Sequence, residues 1–138
     1  MSESELPADV QVFLREHIES YEQLELLLIV RADRESRWTE GSLGTRLRLS
    51  PSPVRAALDR LAAAGFVERQ AHSGEDSYAY VCQSEETEAT IAQLAASYRE
   101  YPIPIIKLMS ANAIERLRTA ALRTFSDAFV LRKGKDRG

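Results

Sequence analysis

Apolar positions recur three and four residues apart along most of the chain, the spacing that gathers them on one side of an α-helix. Val10, Phe13, Leu14 and His17/Ile18 form the first such face, behind a Pro7 that suits a first helical turn. Ser20 followed by Gln23 has the form of a capping box. Behind it, Leu24, Leu27 and Leu28 with the flanking Leu26, Ile29 and Val30 predict a helix covered on most sides and ending near Arg34. A short helix follows, with Thr39 as N-cap and Leu43 and Leu47 on its inner face. Ser50-Pro51-Ser52-Pro53 predicts a turn that opens the next helix, with Ser50 or Ser52 as its cap. Val54, Leu58 and Leu61 give that helix its buried face, and Gly65 ends it.

The period then changes. Phe66–Arg69 and Tyr78–Cys82 read as two short strands, joined by a polar hairpin tip, Gln70–Ser77, with Gly74 at its middle. Ser84 with Glu85 and Glu86 opens another helix whose inner face is Ile91, Leu94, Ala95 and Tyr98. Tyr101-Pro102-Ile103-Pro104 interrupts it. From Ile105 to about Leu131 the pattern is helical again, as one helix or as two divided at an Asn112/Glu115 cap. Ile114, Leu117, Ala121, Phe125, Ala128 and Phe129 line one stripe there, and the tail 132–138 is expected to fray. The predicted class is mostly α with a small β-hairpin (α+β): a winged helix-turn-helix over 20–83, flanked by an N-terminal helix over 1–19 and C-terminal helices over 84–138.

One order of elements carries function: helix, short helix, turn, helix, hairpin. In a winged helix-turn-helix the helix after the turn enters the DNA major groove, and the hairpin lies beside it. Leu49-Ser50-Pro51-Ser52-Pro53-Val54-Arg55-Ala56-Ala57-Leu58-Asp59-Arg60-Leu61, then Ala64-Gly65-Phe66-Val67-Glu68-Arg69, resembles the winged-helix reader of bacterial transcription regulators. The pattern is similar to the GntR type, in Ser50, Pro53-Val54-Arg55, Ala57-Leu58, Leu61 and Gly65-Phe66-Val67, and more loosely to the MarR type. Leu43-Gly44 with Leu47 matches the first helix of such a unit. The resemblance spans about 50 of the 138 residues and implies a DNA-binding regulator. The chain departs from it in two places. Pro51 stands where the GntR type has an arginine that meets DNA, and the wing His72-Ser73-Gly74-Glu75-Asp76 is acidic where MarR-type wings often carry arginine. Both changes weaken phosphate contact.

Charge sharpens this picture. The formal net charge is −3, yet it is blocked along the chain. Residues 1–36 carry nine acids against three bases, and 71–100 six against one. Residues 37–70 carry six bases against three acids, and 101–138 eight against three. An acidic protein binds nucleic acid when its basic charge is gathered on one face. Arg46, Arg48, Arg55, Arg60 and Arg69 are expected around the recognition helix, with Ser50 and Ser52 at its start, where a hydroxyl and free N–H groups can meet a phosphate. Arg55 could contact a phosphate or a guanine. An i, i+4 pair with Asp59 would hold it back instead.

The remaining chemistry is sparse. A single cysteine, Cys82, excludes a disulfide framework and fits a reducing compartment, and two histidines, His17 and His72, do not make a metal site. Trp38 reads as a core anchor near the wing, His72 as an exposed loop residue and Cys82 as a small buried apolar one. No nucleophile–base set or phosphate loop is found, so neither an enzyme nor a cofactor is expected. No apolar run is long enough to span a membrane, and Met1–Glu5 does not read as a signal peptide, so a cytoplasmic protein is expected. Phe125, Phe129 and Leu131 either pack on the N-terminal helix or form a homodimer seam, and the seam fits readers of two-fold DNA sites. Two readings stand: a homodimeric winged-helix regulator on double-stranded DNA, and a winged helix that docks on the transcription machinery or another regulator without binding DNA itself.

Overall fold

The computed structural model describes residues 6–82 and 84–137, with side chains through residue 128. Met1–Glu5 and the side chains of Phe129 and Leu131 lie outside the described residues. The order is α1 (Ala8–His17), α2 (Tyr21–Ala32), β1 (Trp38–Thr39), α3 (Glu40–Leu47), α4 (Pro51–Ala64), β2 (Val67–Gln70), β3 (Ser77–Tyr80), α5 (Glu85–Glu100) and α6 (Pro102–Arg137). Among the described residues no helix is long and apolar enough to cross a membrane.

Local chemistry explains most boundaries. Ser20 caps α2 by accepting a hydrogen bond from the Gln23 N–H. The reciprocal half of the expected box is shifted. Gln23 Oε1 accepts from the Glu19 N–H, and its Nε2 donates to the His17 carbonyl. That buried amide, 1% exposed, ties the end of α1 to the start of α2. Thr39 and Ser42 form a full capping box on α3, and Ser84 caps α5 through the Thr87 N–H. Gly65 ends α4 in the left-handed conformation, φ 88°.

Neither Ser50 nor Ser52 caps α4 with its side chain, contrary to expectation. A cap hydroxyl bonds the second or third N–H of its helix. In α4 the third position is Pro53, which has none, so the acceptor set up by Ser50 loses its usual donor. The two prolines after Tyr101 likewise fall inside the first turn of α6, where a missing N–H costs little. That helix runs unbroken past Asn112 to Arg137, so the tail expected to fray is helical as far as Arg137.

The hairpin is part of a three-stranded antiparallel sheet, β1-β3-β2, rather than a two-stranded one. Val67 faces Tyr80 and Arg69 faces Tyr78, while Trp38 of β1 pairs with Tyr78 on the other edge. One buried cluster unites all segments: Val10, Phe13 and Leu14 of α1, Leu24, Leu27 and Val30 of α2, Leu58 and Leu61 of α4, Ile91 and Leu94 of α5, and Ile105 and Met109 of α6.

The turn between α3 and α4 is set by a close approach. A Cβ on Gly44 would lie 3.1 Å from the Leu49 carbonyl oxygen and 3.9 Å from Val54 Cγ2, and Leu49 N–H donates to the Gly44 carbonyl at 2.9 Å. The crowded neighbour is backbone and cannot rotate away. Gly44→Val is therefore expected to destabilise the fold by about 2 kcal/mol despite the better helix propensity of valine, measurable as a lower urea midpoint.

Candidate nucleic-acid interface

The inner face of α4 is fixed by Val54, Ala57, Leu58 and Leu61, all buried. Its outer face is bare: Pro51, Ser52, Arg55, Ala56, Asp59, Arg60 and Ala63 are exposed. Because Pro51 and Pro53 carry no N–H, the first turn offers only the Ser52 amide among its first three positions. An anion at this helix end must therefore be held by side chains more than by backbone.

The arginines are placed unequally. Arg55, 69% exposed, lies with Nε 3.3 Å from Glu40 Oε2 at the start of α3. Glu40, not the Asp59 one turn along, is its partner. Arg60 Nη1 is 2.8 Å from Glu19 Oε2 at the α1–α2 corner, and the Glu19 carbonyl accepts from Arg116 of α6 at 3.1 Å. Arg69 Nε sits 3.5 Å from Asp76 Oδ2 across the hairpin. Arg48 occupies the turn itself with φ 58°, a conformation that favours glycine. Arg46 is not with this group. It borders a separate cleft of about 350 Å³ with Glu25, Trp38, Tyr98 and Arg99.

The acids of the wing have partners inside the protein. Glu75 accepts from the Gly41 N–H at 3.1 Å, at the start of α3. Asp76 accepts from the His72 N–H as well as meeting Arg69. Ser77 gathers Arg37 Nε and His72 Nε2, each at 3.0 Å. In sequence Glu75 and Asp76 appear only as the acids of the wing. No local spacing signals a bond from residue 75 back to residue 41. Burial pushes the Tyr78 hydroxyl up, helped by Glu40 and Asp76.

A second polar node fixes the sheet to the helices behind it. Glu88 of α5 receives Arg31 Nε and Nη2 at 3.0 and 2.8 Å, Arg34 Nη2 at 3.0 Å, and the Tyr80 hydroxyl. Burial alone would raise the Glu88 carboxyl, but the hydrogen bonds from Tyr80, Arg31 and Arg34 outweigh it and hold it below its ordinary value of 4.5. The folded state thus favours the ionised form. Its contribution to stability is present above about pH 4.5 and is lost as the pH falls through the lowered value. Glu88→Gln should flatten the acid limb of a stability-against-pH curve below pH 5, leaving the slope near neutrality unchanged. An unaltered acid limb would remove this node from the account.

The helix-turn-helix formed by α3 and α4, with the hairpin at its side, defines a winged helix, the fold used by a broad class of transcription regulators. Solved structures share it. HlyU from Vibrio cholerae N16961 is 24% identical over 66% of this chain and 94% of its own, with a TM-score of 0.51. The F27L mutant of MepR from S. aureus, solved bound to an oligodeoxyribonucleotide, is 12% identical over 86% of both chains, with a TM-score of 0.51. At these identities the likeness is one of fold. No protein-family model matches the chain, and no curated protein does.

Proposed function

We propose that the protein is a sequence-specific DNA-binding transcription regulator that acts as a homodimer. In this reading α4 enters the major groove, the wing around 70–77 lies beside it, and the terminal helices join two readers. The observation that carries it is the outward face of α4. It presents Ser52, Ala56, Asp59 and Ala63 between Arg55 and Arg60, two exposed arginines whose charged partners among the described residues are the half-buried Glu40 and the exposed Glu19. Surface pairs of this kind are worth about 0–1 kcal/mol, so a phosphate can take over either guanidinium at little cost. Ser50, Ser52, Arg48 and Arg69 complete the contact surface, and Arg46 adds distant positive charge. An arginine held in a left-handed conformation at position 48 keeps a cation at the turn where glycine would be less strained.

The dimer rests on α6. Ile105 and Met109 bury its first turns against the body. Ile114 follows Ile105 by two and a half helical turns and so points to the opposite side. Ile114, Leu117 and Leu122 are 56%, 72% and 63% exposed. A helix of 36 residues is about 54 Å long, far longer than the body that covers its start. A second copy of this stripe is its occupant, since a two-fold axis pairs like with like. This division makes 1–19 and 84–138 the dimer-forming segments around the 20–83 reader.

The test is fluorescence anisotropy of a labelled random duplex at about 50 and 200 mM salt. Binding that weakens steeply between them supports the reading. No binding at the lower salt, with a protein partner recovered instead, supports the docking-module reading.

A further inference from the structure

We infer that Asp59 reads the base edge of a cytosine, while Arg55 and Arg60 clamp the two phosphate strands on either side. The inference deepens the DNA-binding reading above and rests on it. It follows from the angular order of α4. At about 100° per residue, the point diametrically opposite the buried Val54, Ala57, Leu58 and Leu61 falls between Ser52, Ala56, Asp59 and Ala63. All four are exposed. The arginines are not on this midline. Arg55 leaves one flank toward Glu40 of α3, and Arg60 leaves the other flank toward Glu19 of the α1–α2 corner.

A helix seated in the major groove turns its midline to the base edges and its flanks to the two backbones. The flanking arginines then meet phosphates of opposite strands, exchanging carboxylate for phosphate. The midline carries one charged group, and it is negative. Among the described residues Asp59 makes no hydrogen bond or ion pair. A carboxylate only accepts hydrogen bonds, so its direct partner on the groove floor is a donor. The donors there are the cytosine N4 amine and the adenine N6 amine. Adenine also presents its N7 acceptor beside that amine, which repels a carboxylate, whereas cytosine presents the donor alone. Ala56, a neighbour on the same midline, has the size to pack on a thymine methyl group.

The experiment is selection of preferred sites from a pool of random duplexes, run in parallel for the wild-type protein, Asp59→Asn and Asp59→Ala. Circular dichroism confirms that each variant is folded. The wild type is expected to select a cytosine at one position of each half-site. Asp59→Asn should convert that position alone to adenine, since an amide can both accept from N6 and donate to N7, with a preference of about tenfold or more. Asp59→Ala should lose preference at that position only. If both variants select the wild-type sequence at every position, or bind all sequences more tightly by one common factor, Asp59 is an electrostatic brake and not a reader. If the wild-type protein retains no duplex at low salt, the DNA-binding reading itself fails and this inference falls with it.

Discussion

Arg55→Ala combined with Arg60→Ala is expected to lower duplex affinity about 100-fold at near 0.1 M salt. A hydrogen bond to a charged group contributes about 1.5–3 kcal/mol, which is roughly a factor of ten or more for each arginine. The two side chains leave α4 on opposite flanks and share no partner, so their effects should add. The double variant should also flatten the dependence of log affinity on log salt by about two units, since each neutralised phosphate contributes a slope near 0.9. Folding stability should change little, because both arginines are themselves exposed in their native pairs. Anisotropy at several salt concentrations, with a thermal melt as control, checks all three statements. A loss of affinity without a change of slope would mean that the arginines do not meet phosphates.

Ile114→Glu combined with Leu117→Glu is expected to convert the proposed dimer to a monomer. Both side chains are exposed in the single chain, so the charges meet water there and the fold is retained. In a two-fold seam the same carboxylates would face their symmetry mates without water, and uncompensated buried charge costs several kcal/mol for each ion. Sedimentation should show the dimer mass for the wild type and the monomer mass for the variant at micromolar concentration, with equal helix content by circular dichroism. A monomeric wild type, or a variant that remains dimeric, would move the seam away from this face of α6.

Much of the scaffold is readable locally. The spacing of Val54, Leu58 and Leu61, the stop at Gly65, and the caps at Ser20, Thr39 and Ser84 all act within one turn of chain, and each is found where the residues place it. What escapes the sequence depends on contacts distant in the chain. β1 is two residues long, too short to show alternation, and exists only because Trp38 and Thr39 pair with Tyr78 and Ser77. The partner of Arg55 is a similar case. Asp59 stands at the helical spacing, but Glu40, fifteen residues away, is brought to the guanidinium by the turn at Gly44. The proline pair misleads in another way. Ser50 looks like a side-chain cap, but Pro53 removes one of the two N–H groups such a cap can use, and no cap bond forms. The candidate arginines are likewise visible as a group in sequence, but only the fold separates Arg46, in its own cleft, from Arg55 and Arg60 on α4.

Titration of a duplex into nitrogen-15-labelled protein, followed amide by amide, tests the reading of α4 as the DNA-binding helix. The shifts should concentrate on Arg48–Arg60 and on the wing around 70–77, while the amides of α6 beyond Met109 stay unmoved. Shifts confined to α6 or to the cleft beside Arg46, with α4 silent, would contradict it.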